Sequence, residues 1–255
     1  MKVVILAGGF GTRLSEETKI KPKPMVEIGD RPILWHIMKY YASFGYKEFV
    51  IALGYKAEII KKYFLDYTRM NGAISVDFKS SEVLSLQPER DDWLVQLVDT
   101  GLNTMTGGRI KRLQPWIGNQ TFMVTYGDGV SNVNIRDLYG FHQKQNSFVT
   151  ITAVRPPSRF GELDFQGSWV MNFSEKPLNG DAWINGGFMV CEPELFGFLD
   201  GDTSILERDG LEKLTKKQQL SAYRHEGFWQ CMDTLKDKQY LDKLYTEGNA
   251  PWRNW

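Results

Sequence analysis

Four charged residues sit in settings suited to chemistry on a phosphate. Arg13 closes the run Gly8-Gly9-Phe10-Gly11-Thr12, and Lys23 stands between the prolines of Lys21-Pro22-Lys23-Pro24-Met25. Asp128 is flanked by glycines in Tyr126-Gly127-Asp128-Gly129, and Asp233 follows Trp229-Gln230-Cys231-Met232. Glycines let the main chain take positive φ and come close to a ligand, so consecutive N–H groups can wrap phosphate oxygens. Arg13 and Lys23 are cations for the same anion, and the prolines keep the Lys23 segment extended and out of a helix. Asp128 and Asp233 together would offer two carboxylates to an octahedral Mg²⁺ whose shell is completed by water and phosphate oxygens. Each feature also has a plainer reading. A lone GGxG is a glycine turn with two surface cations, Asp-Gly is an ordinary turn dipeptide, and Asp233 suits a helix N-cap.

The spacing excludes two commoner phosphate loops. A Walker loop needs GK[ST] after four spacers, and the dinucleotide fingerprint wants a glycine where Leu14 stands. That second mismatch argues against a nicotinamide-dependent oxidoreductase.

Two further groups of residues offer hydrogen bonds to a ligand. In TGLNTMTGGR, residues 100–109, hydroxyls and exposed N–H groups can bond a base or a phosphate; a capped helix start reads the same way. After residue 155 come Arg159-Phe160-Gly161-Glu162, Glu175-Lys176-Pro177 and Asn185-Gly186-Gly187. A sugar phosphate asks for such a set: a carboxylate for ring hydroxyls, a cation for the phosphate, glycine to admit the ring. Taken singly, Glu-Lys-Pro is also an exposed charged turn.

The elements that position these residues follow from periodicity. Residues 3–7 form an unbroken apolar run of the kind a central parallel strand shows, ending in the glycine turn. Asp30 and Pro32 start a helix with an apolar stripe (Ile33, Leu34, Ile37, Met38, Tyr41) that Gly45 ends. Residues 49–53 read as a strand and 57–69 as a helix. Strands are expected at 74–78, 94–99, 122–125 and 148–154, with a polar exposed loop over 79–92, an amphipathic segment over 110–117 and a helix over 134–146. Beyond Pro156-Pro157, short strands are expected at 162–165, 169–173, 184–190 and 220–225, with helices at 193–199, 206–217 and 235–245. His36 reads as structural, His142 as a surface residue, and the terminal APWRNW as packing on the body or a neighbouring subunit. The β-loop-α-β-α order predicts an α/β fold with a doubly wound, mostly parallel, Rossmann-like sheet, whose ligands lie at the carboxyl ends of the strands.

With 255 residues, 42% hydrophobic and 13% aromatic, the chain can bury one large core. We read 1–255 as a single domain, 1–154 mainly nucleotide-binding and 155–255 mainly sugar-phosphate-binding with the C-terminal helix. Thirty-one basic residues balance thirty-one acidic ones, which argues against a broad nucleic-acid surface and leaves any anion to a local arrangement. Cys191 and Cys231 show no CxxC or His-rich spacing, so two buried reduced thiols are expected rather than a disulfide framework or a zinc site. The N-terminal apolar run is too short for a signal peptide and no membrane-length run follows, so a soluble cytoplasmic protein is expected.

Read together, GGFGTRL with KPKPM, VDTG with MTGGR, TYGDGV, RFGELD, EKP, INGGF and GFWQCMDT resemble the sugar-nucleotidyltransferases, or nucleotide-sugar pyrophosphorylases, over essentially the whole chain. The branch most similar moves a cytidylyl group. The resemblance implies the fold above with a smaller β-rich sugar-binding lobe, and an enzyme that converts CTP and α-D-glucose 1-phosphate to CDP-glucose and pyrophosphate with Mg²⁺. It implies catalytic roles for Arg13, Lys23 and Asp128, and a nucleotide site of Leu6, Ala7, Gly8, Gly9, Gly11, Thr12, Arg13, Lys23, Thr104, Thr106, Arg109 and Gly127. By the same resemblance, Gly161, Glu175, Lys176, Asn185 and Gly186 face the sugar phosphate, and Asp128 with Asp233 hold the metal. It further implies a homo-oligomer, typically a hexamer, feeding deoxysugars of surface polysaccharides such as O-antigen. Another nucleotide or hexose 1-phosphate, and a silent nucleotide-sensing subunit, remain the alternatives.

Overall fold

A computed structural model of the chain describes residues 1–70, 72–86, 91–156, 162–174 and 182–255. Its centre is strand β1 (Lys2–Leu6), whose Val3, Val4, Ile5 and Leu6 are all buried because both edges and both faces are covered. On one edge it pairs in parallel with β2 (Glu48–Leu53), which pairs in parallel with β3 (Leu94–Asp99). On the other it pairs in parallel with β4 (Phe122–Tyr126). Beyond β4 the sheet continues through β5 (Val149–Val154), the short β6 (Ile184–Asn185) and β7 (Met189–Cys191), and β8 (Leu220–His225), making eight strands in all. β6 and β7 run antiparallel to β5, and β7 also to β4, while β8 lies parallel to β5. The sheet is therefore mostly parallel, and residues beyond 155 extend it.

Alternation along the strands separates two cores. Val3, Ile5, Phe49 and Ile51 pack on one face with helices α1 (Ile33–Ser43) and α2 (Ala57–Met70). Val4, Leu6, Val50 and Ala52 face the other, against α3 (Thr106–Arg112) and the segment around Leu195 to Leu214. Eight of the eleven residues of α1 are buried, so it behaves as a core helix rather than a half-exposed one. The reason is the chain terminus: α4 (Leu235–Thr246) and the fully buried Trp252, stacked on Phe228, cover its outer side. Pro32 precedes α1 with extended ψ, and Gly45 at φ 93° ends it, its N–H donating to Ala42 O at 2.9 Å. His36 on this helix is structural. Its ring nitrogens lie 2.9 Å from Ile28 O and 3.5 Å from Trp252 Nε1, and burial lowers its pKa to about 4.

Several expectations are corrected. The expected polar loop over 79–92 contains a strand, Glu82–Leu86, paired with Ala73–Asp77 in a hairpin that carries exposed Ile74, Val76, Val83 and Leu84; Gln87, Pro88, Glu89 and Arg90 lie outside the described residues. The strand expected over 184–190 is broken at Gly186-Gly187-Phe188, where Gly187 and Phe188 both take positive φ. α3 begins at Thr106, so Thr106 and Arg109 stand on a helix and not in a turn. Helix 206–217 opens with a π turn, Leu206–Leu211, before Glu212–Lys216, and Pro193–Phe198 is a 3₁₀ segment. His142, expected on the surface, is buried, with its ring nitrogens 2.7 Å from Thr150 Oγ1 and 3.0 Å from Glu192 Oε1. Cys191 is buried but Cys231 only half so. Among the described residues, no helix is long and apolar enough to cross a membrane.

Candidate active site

The carboxyl ends of β1 and β4, with the segment that follows β3, open onto one cavity of about 590 Å³, where a parallel sheet of this winding places its ligands. Residues 6–13 leave β1 as its floor. The loop is fastened from below: Ala7 N donates to Ala52 O at 3.1 Å, and Tyr55 N and Arg109 Nη2 both donate to Gly8 O, at 3.1 and 3.0 Å. A Cβ on Gly8 would stand 2.3 Å from Arg109 Nη1, so only glycine lets the loop lie this close to the guanidinium. Gly11 takes φ 64°, and Thr18 Oγ1 donates to its carbonyl at 3.1 Å, turning the chain into the 3₁₀ segment Thr12–Leu14.

Lys23 reaches the same place from the opposite side. Pro22 is extended and Lys23–Met25 forms one 3₁₀ turn, which buries the lysine and aims Nζ at two carboxylates. Nζ lies 2.6 Å from Asp128 Oδ2 and 2.5 Å from Asp233 Oδ1, and Arg13 Nη1 donates to Asp233 Oδ2 at 2.6 Å. Asp128 leaves the end of β4, and Met232 N donates to its carbonyl at 2.8 Å, which ties the two aspartate segments together. Asp233 is not the cap of α4. Thr234 is, in a capping box with Asp237, so the Asp233 side chain is available to the two cations. Burial is the largest influence on the Lys23 ammonium and pulls its pKa down. The two carboxylates outweigh it, so the net shift is upward and the lysine is charged at any physiological pH.

All twelve residues expected at the nucleotide line this cavity, as does Asp128. Arg109 does so in a particular way. Its guanidinium is buried and donates to the carbonyls of Gly8, Leu53, Gly101 and Leu102 and to Thr100 Oγ1, at 2.7–3.2 Å, so its first task is to pin the ends of three strands around the cavity. Asp233 borders the cavity through Lys23 and Arg13. Of the sugar-phosphate positions, Gly161, Glu175 and Lys176 lie outside the described residues. Asn185 reaches the cavity wall through Tyr126, its Nδ2 3.3 Å from the phenol oxygen. Gly186 is packed instead, a Cβ there falling 2.7 Å from Val154 Cγ1.

Sequence reasoning missed Tyr126 and Glu207. Tyr126 stands directly before the Gly-Asp-Gly turn, and an aromatic at a strand end facing the ligand was the available signal. Glu207 carried none, lying in the charged stretch Leu206-Glu207-Arg208-Asp209 that reads as a solvated helix face. Its carboxylate accepts from Thr106 Oγ1 at 2.9 Å and from the Tyr126 hydroxyl.

The donor set suits a hard divalent cation. Asp128 and Asp233 each put one oxygen on the same cationic nitrogen, so they converge on one point. Among the described residues no group of three or more His, Cys, Asp or Glu side chains could hold a metal alone. An ion held by this pair would therefore take its remaining ligands from water and substrate phosphate.

These features belong to one kind of protein. The family model for nucleotidyl transferases matches residues 2–242. The chain belongs to the nucleotidyl transferase family. Nucleotidyl transferases of this family generally use a divalent metal, in keeping with the paired carboxylates. Among relatives, the chain is 47% identical to glucose-1-phosphate cytidylyltransferase of Salmonella typhi and 43% identical to the probable glucose-1-phosphate cytidylyltransferase of Bacillus subtilis (strain 168), covering all of both chains in each case. Among solved structures, HddC from Yersinia pseudotuberculosis shares the nucleotidyl transferase fold, with a TM-score of 0.70 at 24% identity over 96% of this chain and 99% of that one.

Proposed function

We propose that the protein transfers the cytidylyl group of CTP to α-D-glucose 1-phosphate, giving CDP-glucose and pyrophosphate. The observation that carries this reading is the meeting of the glycine loop, Lys23 and the Asp128–Asp233 pair at one cavity. Full-length identity of 43–47% to glucose-1-phosphate cytidylyltransferases supports the choice of nucleotide and sugar.

The sugar phosphate is already an anion, so its oxygen attacks the α-phosphorus without a general base. One P–O bond forms as the bond from the α-phosphorus to the bridging oxygen of the β-phosphate breaks, and pyrophosphate leaves with the electron pair; no protein nucleophile takes part. What the chain supplies is position and charge. Backbone N–H groups of residues 8–13 hold the triphosphate, Arg13 balances charge on the departing pyrophosphate, and Lys23 meets the α-phosphate. Asp128 and Asp233 would hold Mg²⁺, which when bound neutralises phosphate charge and fixes the geometry of the oxygens. Thr104, Thr106 and the Tyr126 wall face the nucleoside, while Asn185, with Gly161, Glu175 and Lys176 on sequence grounds, takes glucose 1-phosphate. The reading includes a cytoplasmic setting, where CTP is present, and a homo-oligomer, of which a hexamer is the form the sequence resemblance suggests. The product would feed deoxysugars of surface polysaccharides.

The test is pyrophosphate release with glucose 1-phosphate, Mg²⁺ and each of CTP, UTP, dTTP, ATP and GTP in parallel, the nucleotide sugar being identified by mass. CTP should lead. Release led by another nucleotide refutes the cytidylyl assignment, and none at all from folded protein favours a nucleotide-sensing subunit.

A further inference from the structure

Glu207 does not line the cavity, yet it governs two hydroxyls that do. One carboxylate oxygen accepts from Thr106 Oγ1 at 2.9 Å and the other from the Tyr126 hydroxyl. Thr106 Oγ1 in turn accepts from Leu206 N at 2.9 Å. A hydroxyl has one proton and two lone pairs, so Thr106, which donates to Glu207 and accepts from Leu206 N, keeps a single lone pair for the cavity. Tyr126 likewise donates its hydroxyl hydrogen to Glu207 and offers only acceptor capacity, part of it met by Asn185 Nδ2 at 3.3 Å.

The carboxylate is firmly held. Glu207 sits in the π turn Leu206–Leu211, a geometry that recurs at functional sites. Ile205 N donates to Asp209 Oδ2 at 2.8 Å, and the segment is tied to α3 through Met105 N to Asp202 O at 2.8 Å and Gly108 N to Ser204 O at 3.0 Å. The charged residues Arg13, Lys23, Asp128 and Asp233 are gathered by their ion pairs. Thr104, Thr106 and Tyr126 are uncharged and therefore suit the neutral, nucleoside part of the ligand.

We propose that Glu207 is a positioning residue for base selection: by accepting the hydrogen bonds of Thr106 and Tyr126, it leaves these two hydroxyls to act only as acceptors toward the cavity, and so favours a base that presents an amino group, as cytosine does, over one that presents a carbonyl, as uracil does. The inference rests on the nucleotidyl-transfer reading above and deepens it.

Glu207→Gln keeps the side chain's shape but replaces one acceptor oxygen with an amide donor, which obliges Thr106 or Tyr126 to turn its proton into the cavity. Steady-state rates with glucose 1-phosphate and Mg²⁺ should show the CTP:UTP ratio of kcat/KM falling at least about tenfold, chiefly through KM for CTP, with UTP unchanged or improved. Equal losses for both nucleotides, or an unchanged ratio, overturn the proposal. Thr106→Val deletes the hydroxyl without changing its volume and serves if the glutamine variant does not fold. It should raise KM for CTP and not for UTP, and a rise shared by both overturns the idea. A wild-type protein inactive with CTP fails the underlying reading, whereas an active one whose ratio ignores both variants fails this inference alone.

Discussion

The charged end of the cavity and its neutral end differ in how they are assembled. Arg13, Lys23, Asp128 and Asp233 come from four short runs, each leaving a strand or a proline-stiffened turn, and alternating charge draws them together at 2.5–2.6 Å. Thr106, Tyr126 and Glu207 are neutral or spend their polarity on one another, and their contacts join segments about a hundred residues apart in the chain. The first arrangement is an electrostatic device that acts on any triphosphate. The second fixes the direction of individual protons, and only a ligand with matching donors can use it. Turnover and base choice should accordingly be separable.

The hardest blow to the charged end is Lys23→Met. It removes the cation shared by two largely buried carboxylates, and turnover should fall by roughly two to three orders of magnitude, as when a preorganised charge contact to the transition state is deleted. The loss of this cation beside half-buried Asp128, with Asp233 still paired to Arg13, should also cost on the order of 2 kcal/mol of stability. Retention of more than a tenth of wild-type kcat would show that the lysine is a structural counter-ion only.

Next in size is the joint between the two ends. Gly8→Ala would drive a methyl group to 2.3 Å from Arg109 Nη1, displacing the guanidinium that holds Gly8, Leu53, Gly101 and Leu102. Overpacking of this kind costs about 1–3 kcal/mol, and both kcat and KM should suffer because loop and nucleoside wall move together. A melting temperature and kinetics like those of the wild type would mean that the loop tolerates a side chain and that Arg109 is not its anchor.

The smallest effect on catalysis is expected at a control residue outside the cavity. His36 is neutral in the folded protein with a pKa of about 4, lowered by burial. An unfolded histidine titrates near its ordinary value, so the unfolded state binds the extra proton first. The stability at stake is fully present above about pH 6.5, is lost as pH falls toward 4, and amounts to on the order of 3 kcal/mol. Thermal melts from pH 7 to 4.5 should show this loss, and His36→Phe should flatten that part of the profile. An identical slope in the variant would assign acid sensitivity elsewhere. Nucleotide preference should not change in either protein.

The contrast also explains what was legible in the sequence. The glycine loop, the proline-flanked lysine and the Gly-Asp-Gly turn are contiguous, and their chemistry is set by residue type and backbone freedom, so they could be read directly. Parallel strands buried on both faces announce themselves as apolar runs, which is why β1, β2, β3 and β4 fell within a residue of expectation. The failures are tertiary. The Glu82–Leu86 strand leaves Val83 and Leu84 exposed and pairs only within a hairpin. His142 looked like a surface residue because its partners, Thr150 and Glu192, come from a strand and from beyond β7. Asp233 was ambiguous between cap and ligand until Thr234 took the capping role. Glu207 was invisible, since nothing in a charged helical stretch tells which carboxylate turns inward.

The separation of chemistry from choice is tested most directly by Asp128→Asn, assayed for pyrophosphate release with CTP and with UTP beside calorimetric binding of both nucleotides. A folded variant should lose most turnover with both nucleotides while its CTP:UTP binding preference matches the wild type. An active variant would show that Asp128 holds no essential charge, and a changed preference would show that the two ends of the cavity do not divide the work.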